Sequence, residues 1–557
     1  MAGLLFSVAT GCSVDEPTAV RPLAAERPLR SQSASEGADA LTRWETLGDD
    51  SLWKHVEASG GVVDVGLRQP GQAAGLRRGR VLVNAAHRAA GRGAIAAIPG
   101  TEVLSVDTLL PIVTLRLRDR AALARLRKLP HVEYVEPGFF TPVNGRNFSF
   151  AELASGCGTG GYAGPRDEYY VAPYDLVPWN YRRMKIDSAW AWASGRGVTV
   201  GLVDTGVDSD QPQFNEYFAT GWSSGRTFEK FATDRSTDTR IWHDDCGHGT
   251  RMASVVGAPR NGGGTLGVAW GANLVAVRVD NDVILNQVAA TREGIRLAAT
   301  KARIVTLAFG TWAHYSSIAQ ELEYWYFNTD RIMLAAAGTY PCFDWLKPVS
   351  FPGTLQTVWT VAAFDETGGL ACNSGRGHDV DFAAFTNQPV HGLWRDAPTY
   401  TYTGISGSSG ATAVMAGLAA LYLERNPGAS RDRVQAALTA AASPTGWRSP
   451  YYGYGVPDAV CLMGVLCAAW VEGPTLIQAS GNYTWTIRHS GGSGPFTYQW
   501  DTGSTSNSIS RYVSVYPGMS EYLFTLTATV RDAQSGRTFT MQVPVVVRDP
   551  YGCPTCA

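Results

Sequence analysis

Short apolar segments alternate with helix-like segments over the central part of the chain, between residues 198 and 425. The segment Gly197–Gly206 is typical, because an apolar run of strand length ends at Asp204 and a glycine turn follows it. Such alternation predicts an α/β fold, a mostly parallel sheet with helices on both faces. The predicted strands are Val198–Val203, Leu274–Val279, Arg303–Phe309, Ile332–Ala337, Val358–Ala362 and Val380–Ala383.

A run of small residues from Gly407 to Gly417 begins a predicted helix that continues through Tyr422. Ser409 lies near the start of this run. The first N–H groups of a helix have no partner within the helix, and the helix dipole places positive potential there. An oxyanion that develops beside the hydroxyl is therefore favoured. We interpret Ser409 as the nucleophile and its backbone N–H as one oxyanion donor.

A serine hydroxyl is a weak nucleophile unless a base and an orienting acid activate it. Asp204 ends a predicted strand, and sites in open α/β sheets are built at the carboxyl ends of strands. His248 lies between two glycines, just before a predicted helix of small residues. In the predicted triad, His248 takes the proton from Ser409, while Asp204 holds the imidazole in one tautomer.

Three motifs resemble those of subtilisin-like serine peptidases in order and context, and the resemblance covers roughly residues 176–466. The motifs are Asp204-Thr205-Gly206, His248-Gly249-Thr250 and Gly407-Ser408-Ser409. The resemblance implies an endopeptidase that hydrolyses polypeptide substrates through an acyl-serine intermediate and requires no cofactor. Members of this family often carry structural calcium. No acidic cluster here has a distinctive calcium-loop spacing, so no metal site is predicted.

The resemblance also assigns a substrate-binding segment and an oxyanion donor. An extended substrate is expected to lie beside Ala308-Phe309-Gly310, although Ala308 replaces the usual serine. The side-chain donor of the oxyanion hole is usually an asparagine, and Thr339 stands at that position. Two hypotheses therefore stay open. The chain is either an active secreted endopeptidase, or a catalytically weak or inactive scaffold that binds peptides or surfaces.

A compact βαββαβ pattern precedes the catalytic region, at about residues 78–137. The resemblance identifies it as an inhibitory propeptide with a ferredoxin-like α+β fold, and a generic ferredoxin-like module is the alternative. Asp119 is the predicted N-cap of the second helix, which ends before Pro130. The predicted strands are Arg80–Asn84, Glu102–Leu109, Ile112–Leu117 and Val132–Pro137.

After Trp470 the apolar period changes to two, which predicts a small antiparallel β-sandwich that resembles immunoglobulin-like or polycystic-kidney-disease-like modules. Its alternating aromatic residues are interpreted as core, with a sugar-binding platform as the alternative.

The predicted organisation of the whole chain has six parts. They are a signal or lipoprotein-like segment and linker at 1–45, the propeptide at 46–137, an activation linker at 138–175, the catalytic domain at 176–468, the β-sandwich at 469–549 and a cysteine-containing tail at 550–557.

Charge and hydropathy exclude two classes of partner. Lys and Arg number 47 against 49 acidic residues, so no excess of positive charge favours nucleic-acid binding. No apolar run reaches about 18 residues, the length typical of a membrane-spanning helix.

Residues 4–12 resemble an export signal that ends at a bacterial lipoprotein processing site, with Cys12 as a possible lipid anchor. Ordinary secretion and an uninformative N-terminus are the alternatives, so the predicted location is secreted or cell-envelope.

The chain has 9 cysteines, and setting Cys12 aside leaves an even number that suits disulfide bonds in an oxidising compartment. Two pairs are close enough in sequence to bond locally, Cys461 with Cys467 and Cys553 with Cys556. Pairing of Cys342 with Cys372 is a weaker expectation. Cys157 or Cys246 could be free.

Overall fold

The computed structural model describes residues 41–68, 93, 95, 97–139, 157, 164, 167–234, 243–343, 345–393, 403–443, 447–492 and 494–549. Among these residues the chain divides into two compact units. One unit comprises residues 41–434 and 448–455, and the other comprises residues 435–447 and 456–549.

The first unit begins with a module of four antiparallel strands. A short strand β1 (Thr42–Arg43) and helix α1 (Asp49–Ala58) precede this sheet. The four strands are β2 (Val62–Leu67), β3 (Thr101–Val106), β4 (Ile112–Leu117) and β5 (Val132–Pro137), in the spatial order β3-β4-β2-β5. Helix α2 (Arg120–Arg127) joins β4 to β5, and the Asp119 side chain caps it by accepting a hydrogen bond from the Ala122 N–H. The sheet therefore starts at Val62, before the predicted core at about residue 78, and the predicted strand 80–84 lies outside the described residues.

A seven-stranded parallel sheet forms the centre of the first unit, in the order β15-β14-β13-β11-β8-β10-β9. Its strands are β8 (Thr199–Asp204), β9 (Phe228–Ala232), β10 (Asn273–Arg278), β11 (Ile304–Leu307), β13 (Ile332–Ala336), β14 (Trp359–Phe364) and β15 (Phe382–Phe385). Helices α5 (His248–Gly257) and α8 (Gly407–Arg425) pack together on this sheet, and α6 (Val288–Lys301) and α7 (Ser316–Asn328) form a second pair. The predicted α/β fold is confirmed.

Close packing of strand and helix explains one glycine in this core. Gly201 lies in the middle of β8, where a Cβ atom would stand 3.0 Å from the Cβ of Ala298 on α6. Because that distance is shorter than van der Waals contact, glycine lets the helix lie directly on the strand. The flanking residues Val200, Leu202 and Val203 are buried. The end of β8 is thereby held rigidly within the core.

Shorter elements surround the central sheet. Strands β6 (Tyr169–Val171) and β7 (Asp175–Val177) form one antiparallel pair, and β16 (Gln388–Val390) and β17 (Thr403–Ile405) form another. Strand β1 pairs in parallel with β12 (Ala313–His314), so the segment before the four-stranded module is attached to the part of the chain between β11 and α7. The remaining helices of the first unit are α3 (Trp179–Arg183) and α4 (Ile186–Ala189). Helix α9 (Arg431–Ala442) contains the boundary between the two units, and α10 (Ala459–Leu462) belongs to the second unit.

The second unit contains two antiparallel layers. One layer has the order β18-β20-β22 and the other has the order β19-β24-β23-β21, in which β19 pairs in parallel. A single buried cluster draws on both layers and includes Trp485 and Trp500. These aromatic residues are therefore core, as the sequence pattern indicated. The strands are β18 (Ala468–Glu472), β19 (Leu476–Ile477), β20 (Gly481–Ser490), β21 (Phe496–Trp500), β22 (Ser508–Val513), β23 (Tyr522–Asp532) and β24 (Thr538–Val547).

Disulfide bonds join three pairs of cysteines, which are Cys157–Cys246, Cys342–Cys372 and Cys461–Cys467. The expectation that Cys157 or Cys246 could be free is thus wrong, because the two are bonded to each other across 89 positions of sequence. Cys12, Cys553 and Cys556 lie outside the described residues. Over the described ranges, no helix combines the length and the apolar character needed to cross a membrane.

Candidate active site

Two of the predicted catalytic side chains are in direct contact. Asp204 is the last residue of β8 and His248 is the first residue of α5, and both are buried. The Nδ1 atom of His248 lies 2.7 Å from Oδ1 of Asp204. Because the carboxylate accepts the hydrogen bond from Nδ1, the lone pair of the neutral ring is on Nε2. His248 is therefore held in the tautomer that a general base requires.

The backbone after β8 fixes the carboxylate of Asp204. The N–H of Thr205 donates a hydrogen bond to Oδ1 of Asp204 at 2.8 Å. The next residue, Gly206, has a φ of 104°, a value that glycine adopts without strain. A Cβ atom on Gly249 would stand 2.0 Å from the carbonyl oxygen of Gly206. The glycines of the two motifs therefore let the two loops approach closely enough for Asp204 to reach His248.

Asp244 connects the two loops, and the sequence analysis did not single it out. Its side chain is fully buried and accepts hydrogen bonds from the Gly247 N–H, the Thr250 N–H, the Thr250 hydroxyl and the Thr205 hydroxyl. The Thr205 hydroxyl in turn accepts a hydrogen bond from the Gly249 N–H. Burial raises the pKa of Asp244 to about 6, against the effect of these donors. Its position four residues before His248, in a loop without apolar pattern, was the only sequence signal for it.

Ser409 reaches the same edge of the sheet from helix α8. It is the third residue of the helix and is half-buried. Its hydroxyl donates a hydrogen bond to the carbonyl oxygen of Ala308 at 2.6 Å. Ala308 follows Leu307, which pairs with Val203 in the adjacent strand, so Ala308 and Asp204 end neighbouring strands. Such strands lie about 4.8 Å apart, which places the nucleophile candidate at the carboxyl end of the β8–β11 pair.

The hydrogen bond of Ser409 is thus made to Ala308 and not to the imidazole of His248. The structure brings Asp204 and His248 together and places Ser409 one strand away. Transfer of the proton from Ser409 to His248 stays a prediction. It requires the hydroxyl to turn away from the Ala308 carbonyl, which a rotation about one side-chain bond provides.

Thr339 lies beside the start of helix α8, in an exposed position after β13. Its hydroxyl is 3.3 Å from the hydroxyl of Ser408, which accepts a hydrogen bond from the Gly338 N–H. A Cβ atom on Gly407 would stand 2.6 Å from the Thr339 hydroxyl. The threonine is therefore adjacent to the helix turn that carries Ser409. Its role as an oxyanion donor stays a prediction.

The predicted substrate-binding segment already uses several of its backbone groups. Ala308 and Phe309 are buried, and Gly310 is half-buried. The N–H of Gly310 donates to the Val283 carbonyl at 3.3 Å, and its carbonyl accepts from the Leu285 N–H at 3.1 Å. An extended substrate that pairs with Gly310 would have to replace these two hydrogen bonds.

Part of the chain is similar in sequence to a known protein family. Residues 195–455 match the subtilase family, and Asp204, His248 and Ser409 all lie within the matched segment. Thermitase from Thermoactinomyces vulgaris is 29% identical over 299 residues, which cover 52% of this chain and 96% of thermitase. Subtilisin DY from Bacillus licheniformis is 28% identical over 282 residues, which cover 50% of this chain and 96% of that protein.

One solved structure extends the comparison to coordinates. The crystal structure of MycP1 from Mycobacterium smegmatis is 22% identical in sequence and has a TM-score of 0.43. The aligned region covers 55% of this chain and 88% of that one.

Proposed function

We propose that this chain is a secreted serine endopeptidase of the subtilase family, made as a zymogen, whose nucleophile is Ser409. One observation carries the proposal. The buried His248 Nδ1 lies 2.7 Å from Asp204 Oδ1 within the segment that matches the family. Neutral imidazole oriented by a buried carboxylate is the arrangement that activates a serine for acyl transfer.

The proposed mechanism follows the positions of these side chains. His248 Nε2 removes the Ser409 proton as the hydroxyl attacks a peptide carbonyl, and Asp204 stabilises the imidazolium that forms. The Ser409 N–H, which has no partner within the first turn of α8, and the Thr339 hydroxyl donate to the oxyanion. The protonated His248 then gives its proton to the leaving amine, and water hydrolyses the acyl-enzyme. This chemistry uses only the chain's own groups and water, so no cofactor is required.

The zymogen part of the proposal rests on how the N-terminal module contacts the catalytic region. Glu136 on β5 accepts hydrogen bonds from the backbone N–H groups of Ser316 and Ser317, the first residues of α7. A carboxyl group at that place satisfies two donors that a helix leaves unpaired at its start. Just beyond β5, the Gly138 carbonyl accepts from the Val288 N–H, the first residue of α6. The module therefore ends against the catalytic region, as an inhibitory propeptide would.

Buried ion pairs join the same two parts. Asp64 of the module lies 2.6 Å from the guanidinium of Arg292 on α6, and both side chains are almost fully buried. A second pair joins Asp107 of the module to Arg296 at 2.8 Å, and Arg296 also contacts Glu321. Buried charges are costly unless they are paired, so each part needs the other to satisfy these groups. We propose that cleavage in the linker after residue 138 precedes release of the module.

Export is supported by the disulfide bonds, because such bonds persist in oxidising compartments. The proposal includes two forms of export, simple secretion and attachment to the cell envelope through a lipid on Cys12. Mass spectrometry of the mature N-terminus distinguishes them. A lipid mass on a peptide that begins at Cys12 indicates an anchor, and an unmodified N-terminus downstream of residue 137 indicates a released enzyme.

A second candidate function is a catalytically weak or inactive scaffold that binds peptides. The hydrogen bond from Ser409 to Ala308 and the use of the Gly310 backbone groups favour this reading, because both must change before a substrate can react. Thr339 in place of the usual asparagine supports it further.

A fluorophosphonate probe separates the two functions, because it reacts only with an activated serine. We expect the purified chain to be labelled after the module is removed, and we expect labelling to disappear in Ser409→Ala. Ser406→Ala, which changes an exposed serine at the N-cap of the same helix, is the matched control and should be labelled normally. Absence of labelling in the parent, with the module removed and the fold intact, would establish the scaffold.

A further inference from the structure

Three potential metal ligands converge beside the candidate active site. They are Asp208, Asp210 and His243, and one donor atom from each lies within 4.8 Å of the others. Asp208 is buried, Asp210 is exposed and His243 is half-buried, so the cluster lies at the surface with one open side. The proposed catalytic mechanism uses none of the three.

The two ring nitrogens of His243 have different surroundings. Nε2 lies 3.4 Å from Oδ1 of Asp245, and Nδ1 lies 3.8 Å from Oδ1 of Asp208. Nδ1 is buried and has no hydrogen-bond partner among the described residues. In metal sites the imidazole that binds through one nitrogen usually gives the proton of the other nitrogen to a carboxylate, which fixes the ring. Asp245 occupies that second position, and the orphaned Nδ1 faces the aspartates.

We propose that this cluster is a binding site for a divalent transition-metal cation of the zinc type, held by Nδ1 of His243 and by one carboxylate oxygen each from Asp208 and Asp210. Zinc binds nitrogen and carboxylate oxygen at about 2.0–2.2 Å. Two ligand atoms 3.8 Å apart can therefore both contact one ion, at an angle somewhat wider than the tetrahedral angle. Water fills the remaining positions on the exposed side. Calcium fits less well because it prefers six to eight oxygen ligands.

A positive charge already lies near the cluster. The ammonium group of Lys230 interacts electrostatically with Asp208 and Asp210. A zinc ion competes with this ammonium for the two carboxylates.

The site is connected to the loops that position His248. The Asp208 N–H donates a hydrogen bond to the Thr250 hydroxyl at 2.9 Å, and that hydroxyl donates to Asp244. His243 immediately precedes Asp244 in the chain. A cation that holds Asp208 to His243 therefore ties the turn after β8 to the loop before α5. Its expected effect is to stabilise the folded state and the geometry of the active site together.

Isothermal titration calorimetry with zinc chloride tests the site in the full-length Ser409→Ala chain, which cannot digest itself, after treatment with a chelator. We expect one zinc ion per chain near neutral pH. His243→Ala and Asp210→Asn should each weaken binding at least tenfold, since each removes one ligand. The matched control is His378→Ala, because His378 is an exposed histidine outside the cluster and should leave the affinity unchanged.

Two further measurements show that the loss is local. Cobalt(II) added to the same protein should give visible absorption bands that His243→Ala abolishes. Zinc at a hundredfold excess over its dissociation constant should raise the unfolding temperature by at least about 2 °C in the parent and not in His243→Ala. Melting curves without metal confirm that each variant is folded. Absence of stoichiometric binding by the parent, or undiminished binding by His243→Ala, overturns the proposal and leaves the cluster as an ion-pair network.

Discussion

Two carboxyl groups of the first unit are buried to nearly the same extent. Asp244, in the loop before His248, is 0% exposed, and Glu136, on the edge strand of the N-terminal module, is 1% exposed. Burial raises the pKa of both, but by different amounts. The pKa of Asp244 rises to about 6, whereas that of Glu136 rises to about 8. The same desolvation therefore leaves one group ionised at neutral pH and the other protonated.

Their partners explain the difference. Four donors from the surrounding loops point at Asp244, and each favours the ionised form. At Glu136 desolvation by burial is the largest influence on the pKa. The Ser317 side chain and the backbone donors of Ser316 and Ser317 oppose it, and the nearby carboxylate of Asp64 raises the pKa further. The four donors therefore favour the ionised form of Asp244 and hold its side chain in one position. Burial of the interface carboxyl group of Glu136 therefore favours its protonated form.

The largest expected effect concerns the ion pairs that accompany Glu136. Asp64→Ala in the Ser409→Ala background should reduce the free energy of unfolding by about 3–5 kcal/mol, because it leaves Arg292 buried without its nearest partner. Urea denaturation measures the change. Glu102→Ala removes an exposed pair with Arg116 from the same module and should cost at most about 1 kcal/mol. Equal losses in the two variants would mean that the interface does not depend on the buried pair.

A smaller effect is expected within the catalytic loops. Asp244→Asn places the NH₂ group of the amide against groups that donate hydrogen bonds to the carboxylate in the parent. The loop before His248 should therefore shift. A displacement of about 1 Å can reduce kcat about 100-fold, which corresponds to about 2.7 kcal/mol. Steady-state kinetics with a peptide substrate measure this change, and Asp330→Asn, at an exposed site of the same unit, should leave kcat unaltered. Wild-type kcat in Asp244→Asn would show that His248 is positioned without this carboxylate.

The two carboxyl groups also differ in the pH range over which they affect stability. Each has a raised pKa in the folded chain, so each contributes stability that is complete below its unfolded pKa and is lost as the pH rises through its folded pKa. For Asp244 that loss is complete at about pH 6, and for Glu136 it continues to about pH 8. Between about pH 6.5 and 8, only Glu136 of the two lowers stability, by at most about 1.4 kcal/mol per pH unit.

Glu136→Gln should flatten the pH dependence in that range, because glutamine cannot ionise. Unfolding free energies of the Ser409→Ala chain at several pH values, with and without this second change, measure the difference in slope. Glu133→Gln changes a half-buried glutamate of the same strand and should leave the slope as it is. An unchanged slope in Glu136→Gln would refute the idea that this group makes the interface sensitive to pH.

The same comparison shows why some features could be predicted from the sequence. The apolar run that ends at Asp204 is sufficient by itself to predict a strand, because a strand needs only a short local pattern. Strand β8 differs from the predicted strand by one residue at each end. The three site motifs are also local, since each consists of neighbouring residues. The contact between Asp204 and His248, 44 positions apart, was anticipated because the order and context of these motifs resemble those of subtilisin-like serine peptidases.

Features that depend on distant partners were missed. Strand β2 carries Asp64 in its centre, which breaks the apolar pattern. Its carboxylate accepts a hydrogen bond from the Thr114 hydroxyl and pairs with the guanidinium of Arg292, 228 positions away. Likewise Cys157 gave no sign of its bond to Cys246. Asp208 and Asp210 meet His243 only because β8 and the loop before α5 meet in space. Buried polar and charged groups need partners, but the order of residues along the chain does not indicate which distant residues will be those partners.

The smallest expected effect concerns Thr339, an exposed residue whose hydroxyl lies 3.3 Å from the hydroxyl of Ser408 on α8. Loss of the asparagine donor in subtilisin lowers kcat by about 10²–10³, and a hydroxyl restores part of that loss. Thr339→Asn should therefore raise kcat about three- to tenfold with KM nearly constant, since the added hydrogen bond forms only to the oxyanion. Thr339→Val, which keeps the shape and removes the hydroxyl, should lower kcat. If both variants leave kcat unchanged, the oxyanion is stabilised by backbone donors alone, and residue 339 has no part in the chemistry.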